Sequence, residues 1–208
     1  MITMVENSRQ RTYAKGQTIL YPDERSPDIF VIAEGAITMH DIDDNGNRRI
    51  LHIFGPPALF PMVSFSSEFV TSSWFYTALM DTRVHVLPYQ EFKLRLEKVD
   101  GASAYNALLK QLLTEVHELL TQIAQSTRSS GEARLLVALK FLAVHHMRAR
   151  SGNWQPVNFL VPHHLLADMT GLTRETVSVL MKQLHQKRLV RYPVAGKLEI
   201  NSSRLFKA

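Results

Sequence analysis

The chain has 208 residues, 45% of them apolar and 21% charged, with a formal net charge of +5. That composition fits a globular protein with one or two domains rather than a disordered chain. The absence of cysteine excludes disulfides, thiolate metal sites, cysteine-held iron–sulfur clusters and thiol redox sensing.

No apolar run reaches the ~18 residues of a membrane span. The opening "MITMVENSRQRTY" lacks the apolar segment of a signal peptide, so a cytoplasmic protein is expected. The charge is uneven. Residues 1–125 hold 11 Lys/Arg and 15 Asp/Glu, a net of −4, whereas residues 126–208 hold 13 and 4, a net of +9. A basic third behind an acidic front points to a polyanionic partner such as nucleic acid; its bland alternative is a solvated basic surface.

Residues 13–90 read as β structure. "DIFVIAEGAITMH" places β-rich runs around a Glu34-Gly35 turn, and "DDNGN" predicts a hairpin joining 36–41 to 48–54. "GPPALFP" at 55–61 breaks regularity. In "TRVHVL", Val84 and Val86 alternate with Arg83 and His85, which predicts a strand, and a short helix "YQEFKLRLEK" follows Pro88. Many short strands with Gly/Pro turns suggest a sandwich or barrel.

Residues 103–127 change character. Tyr105, Leu109, Leu112, Val116, Leu119 and Ile123 are spaced 4, 3, 4, 3, 4, a heptad seam on a helix of about 37 Å. Leu108, Leu113 and Leu120 widen its apolar face. One face suits the chain's own β domain and the seam suits a second copy; the alternative is a wide core face within a monomer. A further amphipathic helix is expected over Glu132–Met147, a short extended piece over 153–161, and two β-like runs around Ala195-Gly196.

Between these lies "HHLLADMTGLTRETVSVLMKQLHQKRLV". A helix-turn-helix needs a small residue in its first helix, a glycine in the turn and branched residues on the inner face of its second helix. Ala167, Gly171, Val177 and Leu180 fill those places. Thr173 is positioned to cap the second helix, and Val177, Leu180, Met181 and Leu184 follow helical spacing. The opposite face carries Arg174, Glu175, Ser178, Val179, Lys182 and Gln186. Arg174 suits phosphate or guanine, Glu175 a cytosine amino group and Ser178 either. Val179 suits a thymine methyl, or else tucks against the wing. Lys182, Lys187, Arg188, Arg191 and Lys197 suit phosphates. With Thr173 and Thr176 these make the predicted DNA-binding set.

At this point the chain resembles the Crp/Fnr superfamily of bacterial transcription regulators over nearly its whole length. "YAKGQTILYPDERSPDIFVIAEGAITMHDIDDNGNRRILHIFGPPALF" is similar to that family's β-roll, the heptad helix stands where the family has its dimer helix, and "VRYPVAGKLEI" resembles its wing. The resemblance implies an α+β protein: a β-roll over 1–102, a dimerisation helix over 103–127 and a winged helix-turn-helix over 128–208. It implies a homodimer on a two-fold symmetric operator read by helix 173–187, with RNA polymerase as a further partner.

Members that bind cyclic nucleotides carry a Gly-Glu pair and an Arg-Ser/Thr pair. Here Pro61-Met62 and Ser72-Ser73 stand in those places. A buried phosphate without a cation is costly, so control by cyclic AMP is not expected. Many members also place an arginine where Val179 stands, which predicts an altered operator. Phe60, Met62, Phe65, Trp74, Phe75 and Tyr76 cluster in the altered segments. They either line a pocket for a small apolar ligand or fill a vestigial site, leaving a scaffold. His40, His52 and His85 are weak haem candidates, and the pairs 145–146 and 163–164 weak metal candidates, so no cofactor or metal is expected. No phosphate-binding glycine loop, nucleophile elbow or HExxH spacing is present, so the chain does not read as an enzyme. The alternative is a ligand- or protein-binding module whose helix-turn-helix no longer reads DNA. The net charge of +9 over the last 83 residues argues against it.

Overall fold

A computed structural model describes residues 5–61, 70–98, 101–126, 130–147 and 152–207. Among the described residues the strands β1 (Arg9–Tyr13), β2 (Thr18–Leu20), β3 (Arg25–Ser26), β4 (Asp28–Glu34), β5 (Ile37–Ile42), β6 (Arg48–Phe54), β7 (Leu59–Phe60), β8 (Val70–Thr71), β9 (Phe75–Ala78) and β10 (Thr82–Pro88) precede the helices named below. They form sheets in the orders β1-β10-β4-β7 and β2-β9-β5-β6, with a β3-β8 pair. β1 begins ahead of the expected β region. Four of its five residues are exposed, so it carries no apolar alternation to betray it.

β4 explains the unbroken run "IFVI". Phe30 and Ile32 face one core with Ile37, Phe60, Tyr76 and Val84; Ile29 and Val31 face a second with Leu59, Leu87, Phe92 and Leu108. A strand buried on both faces has no polar side to alternate with. On β10, Val84 and Val86 are buried as expected and pair with Ile32 and Phe30 of β4. Gly35 has φ +96, and a Cβ there would lie 2.7 Å from the Thr82 Cα and 2.8 Å from the Asp81 carbonyl oxygen, so only glycine fits this turn. The expected hairpin is present as β5 and β6. Asp43 closes it by accepting from the backbone N–H groups of Asn45 and Asn47, at 2.9 and 2.8 Å.

Two helices follow, α1 (Tyr89–Lys98) and α2 (Gly101–Ser126). α2 inverts the usual amphipathic arrangement. Leu108, Gln111, Glu115 and Glu118 turn inward, whereas Tyr105, Leu109, Leu112, Leu113, Val116, Leu120 and Ile123 are exposed. Leu119, the remaining seam residue, is half-buried. The Gln111 side-chain amide donates to the Leu59 carbonyl at 3.1 Å and to Glu115 at 2.7 Å. Burial pushes the Glu115 carboxyl up to about 7, against the opposing hydrogen bond from Gln111 and with nearby Glu118 adding to the rise.

The C-terminal elements are α3 (Gly131–His145), β11 (Trp154–Pro156), α4 (His163–Thr170), α5 (Arg174–Gln186), β12 (Val190–Val194), β13 (Lys197–Asn201) and a short α6 (Ser202–Leu205). Their core is built on Leu135, Leu139, Leu142, Leu166, Val177, Leu184, Leu198 and Ile200, all fully buried. α3 stops at His145, short of the expected Met147. Met147 instead forms a β-bridge with Val157, and the His146 carbonyl accepts from the Asn158 N–H at 2.8 Å. The chain groups into two compact units. One holds residues up to Asp41 with Ile50–Leu119; the other holds the hairpin tip Ile42–Arg49 with everything from Leu120 onward. Among the described residues no helix is long and apolar enough to cross a membrane.

Candidate nucleic-acid interface

α4 ends on Gly171 in the left-handed conformation, φ 64, ψ 28, and its N–H donates to the Ala167 carbonyl at 2.8 Å. That geometry is the turn required of Gly171, since other residues resist positive φ. Two residues later Thr173 caps α5, its hydroxyl accepting from the Thr176 N–H at 3.2 Å. Val177, Met181 and Leu184 are buried beneath α5. Leu172 and Leu180 are half-buried over Gly131, where they fill the space in which a Cβ would sit.

With 3.6 residues per turn, the buried trio fixes the inward direction of α5. Glu175, Val179, Lys182 and Gln186 fall on the opposite side and are exposed, as are Thr173, Arg174 and Thr176. Ser178 lies closer to the inner edge and is half-buried. Its hydroxyl lies 2.8 Å from Nδ1 of His163 and donates to the Arg174 carbonyl at 2.9 Å. The His163 ring also meets Tyr192 edge-on at 5.7 Å, and the Tyr192 hydroxyl donates to the Val161 carbonyl. Burial, with Arg174 nearby, lowers the His163 pKa; burial raises that of Tyr192. Sequence spacing did not single out His163 for this role, because it meets Ser178 across 15 residues in a different helix.

The basic residues divide into two groups. Lys187 pairs with Glu132 at 2.6 Å. Arg191 pairs with Glu199 at 2.6 Å across the β12–β13 ladder and lies 4.5 Å over the Trp154 ring. In each pair the carboxylate offsets part of the charge that its cation would offer a phosphate. Arg174, Lys182, Arg188 and Lys197 are exposed on α5, at its end and on the wing. β11, β13 and β12 form the three-stranded antiparallel sheet of that wing.

The β-roll residues distribute differently. Phe60 and Tyr76 are core residues, stacked on each other at 5.3 Å, with Phe30 and Phe54 alongside. Trp74 and Phe75 are half-buried, and Phe75 stacks on His40 at 5.2 Å. Met62 and Phe65 lie outside the described residues. Ser72 is buried and its hydroxyl donates to the Trp74 carbonyl at 3.0 Å. His52 packs on Phe54, and His85 lies 2.9 Å from the Ser8 hydroxyl. Among the described residues no three metal-ligating side chains converge.

Comparison with known proteins agrees with both halves. Residues 10–98 match the cyclic nucleotide-binding domain family, and residues 133–204 match the Crp-like helix-turn-helix domain family. The chain is 28% identical to the "Cyclic AMP receptor protein" of Thermus thermophilus, over 95% of this chain and 86% of that one. Among solved structures it is similar to FixK2 from Bradyrhizobium japonicum, with TM-score 0.77, 21% identity and 96% of each chain covered. It is also similar to the c-di-GMP-responsive regulator CLP of Xanthomonas campestris, with TM-score 0.75, 15% identity, and 96% of this chain and 97% of that one covered. A cyclic-nucleotide-binding-type β-roll, a long helix and a capped, winged helix-turn-helix follow in that order, and the chain belongs to the Crp/Fnr superfamily of DNA-binding transcription regulators.

Proposed function

We propose that the protein works in the cytoplasm as a homodimer that reads a two-fold symmetric operator with helix 173–187 of each copy. The division of labour is a β-roll over 1–102, a dimerisation helix over 103–127 and a DNA-binding domain over 128–208. The observation that carries the dimer is the exposed apolar seam of α2, in which Tyr105, Leu109, Leu112, Val116 and Ile123 share one heptad register. A monomer rarely leaves so continuous a patch in water. Two copies joined along α2 would present two recognition helices to successive turns of one DNA face.

Arg174, Glu175 and Val179 are assigned to base edges, with Ser178 beside them. Thr173, Thr176, Lys182, Lys187, Arg188, Arg191 and Lys197 are assigned to the phosphate backbone, and RNA polymerase to the role of protein partner. The effector is not cyclic AMP. The relative named for cyclic AMP is 28% identical, but this chain carries Pro61-Met62 and Ser72-Ser73 where a ribose and a phosphate would be held. The aromatic stack of Phe30, Phe54, Phe60 and Tyr76 supports a filled roll acting as a scaffold rather than a receptor for a small apolar ligand.

The test is selection of bound fragments from the organism's genome, followed by titration of the best one at several salt concentrations. A dimer touching about 6–10 phosphates should lose roughly 10³–10⁵ in affinity between 50 and 200 mM salt, and should leave a two-fold symmetric footprint. Uniform weak binding to every fragment would overturn the proposal. Micromolar binding of cyclic AMP by titration calorimetry would overturn its effector clause.

A further inference from the structure

The centre of the outward face of α5 is apolar. At about 100° per residue, Val177, Met181 and Leu184 define the buried direction, and Val179 stands almost opposite their mean. Val179 is 59% exposed. Glu175 lies one turn before it and Lys182 one turn after, both exposed. Val179 therefore does not tuck against the body of its own domain. A β-branched residue at the outermost line of a helix is left in water in the free protein, at a cost that an ordinary polar residue there would avoid.

We infer that Val179 is a specificity-determining residue that packs against the 5-methyl group of a thymine in each operator half-site. The inference rests on the DNA-reading function proposed above and adds the chemistry of one base position. A recognition helix brings its outermost residues near its N-terminus to the floor of the major groove. The apolar group exposed there is the thymine methyl, and valine has no polar atom with which to address a guanine or an adenine. Ser178 does not compete for the same contact, because its hydroxyl is turned toward His163 and the Arg174 carbonyl. Glu175 and Val179 are four residues apart, about 6 Å along the helix. The thymine should therefore lie within one or two base pairs of the base that Glu175 contacts.

The experiment uses the full-length protein and a duplex recovered by selection from a random 30-base-pair pool. Each thymine of the half-site is replaced in turn, on both halves, by deoxyuridine, which lacks only the methyl group. Burying one methyl is worth about 0.8 kcal/mol, or about fourfold in affinity per half-site. Wild-type binding should therefore weaken roughly tenfold or more at one thymine position and little at the others. In Val179→Ala the same replacement should change affinity less than twofold, which isolates the pair by a double-mutant cycle. Val179→Arg, selected afresh, should prefer guanine where the wild type prefers thymine. A specific operator on which no deoxyuridine matters to the wild type, or on which Val179→Ala keeps the full methyl effect, would overturn the valine assignment alone. Recovery of no specific operator would overturn the DNA-reading proposal, and the valine assignment with it.

Discussion

Nδ1 of His163, at the start of α4, lies 2.8 Å from the hydroxyl of Ser178 in the middle of α5. That hydroxyl also lies 2.9 Å from the Arg174 carbonyl one turn earlier, so the imidazole and the α5 backbone hold it from two sides. The bond ties the two helices of the reading unit together. It also sets the orientation of Ser178, so Ser178→Ala should cost less in DNA affinity than Arg174→Ala when the two are measured on one operator.

The partial burial of the His163 ring gives the fold a pH dependence. Burial, with Arg174 nearby, lowers the His163 pKa in the folded state. The unfolded chain therefore binds more protons as pH falls through about 6.5, its ordinary value, and folding stability drops there. Above that pH the effect vanishes. His163→Asn keeps a donor for Ser178 and removes the titration. Its melting temperature should fall less than that of the wild type between pH 7.5 and 5.5, by about 1–2 °C given the partial exposure of the ring. Parallel curves for the two proteins would show that His163 does not titrate in that window.

Glu115 carries the opposite sign. Its folded-state pKa is raised to about 7 from 4.5, chiefly by burial. The native state holds the extra proton, so the stability tied to it is present in full below about pH 4.5 and is lost as pH rises through 7. Glu115→Gln keeps an acceptor for the Gln111 amide. The variant should be more stable than the wild type by about 1–2 kcal/mol at pH 8, with the margin shrinking toward pH 5. Denaturant titration at the two pH values measures this; an equal margin at both would refute it.

The exposed seam of α2 should fail on charge insertion. Leu112→Glu with Val116→Glu places two carboxylates per chain on the apolar line that a second helix would cover. Sedimentation should give a monomer with an unchanged melting curve for the β-roll, and operator affinity should fall at least 100-fold because two linked half-sites become one. A double variant that still sediments as a dimer would place the interface elsewhere.

Phosphate contacts separate by salt dependence. Lys182→Ala and Lys197→Ala each remove one exposed cation per half-site, and should each reduce the slope of log affinity against log salt by about 2 per dimer. Lys187→Ala should change it less, because Glu132 at 2.6 Å already offsets that charge. Equal slopes for all three would mean that the Glu132 pair opens fully on DNA.

Much of this protein is written in short-range periodicity. The 4-3-4-3-4 spacing from Tyr105 to Ile123, the alternation of Val84 and Val86, the Thr173 cap and the positive φ of Gly171 each depend on residues within one or two turns of one another. A helix repeats every 3.6 residues and a strand every two, so such patterns are legible without knowing what they pack against. The length of α2 and the start of α5 follow directly.

What the tertiary structure decided depends on partners distant in the chain. The hydroxyl of Ser178 meets His163 only because of how α4 crosses α5. Arg191 is a free cation or a paired one only according to the β12–β13 register that brings Glu199 beside it. Phe60 and Tyr76 read equally as pocket or core until β4, β7 and β9 stack them between Phe30 and Phe54. Side-chain chemistry determined what each residue is able to do, and strand register and helix crossing determined which of those things it does.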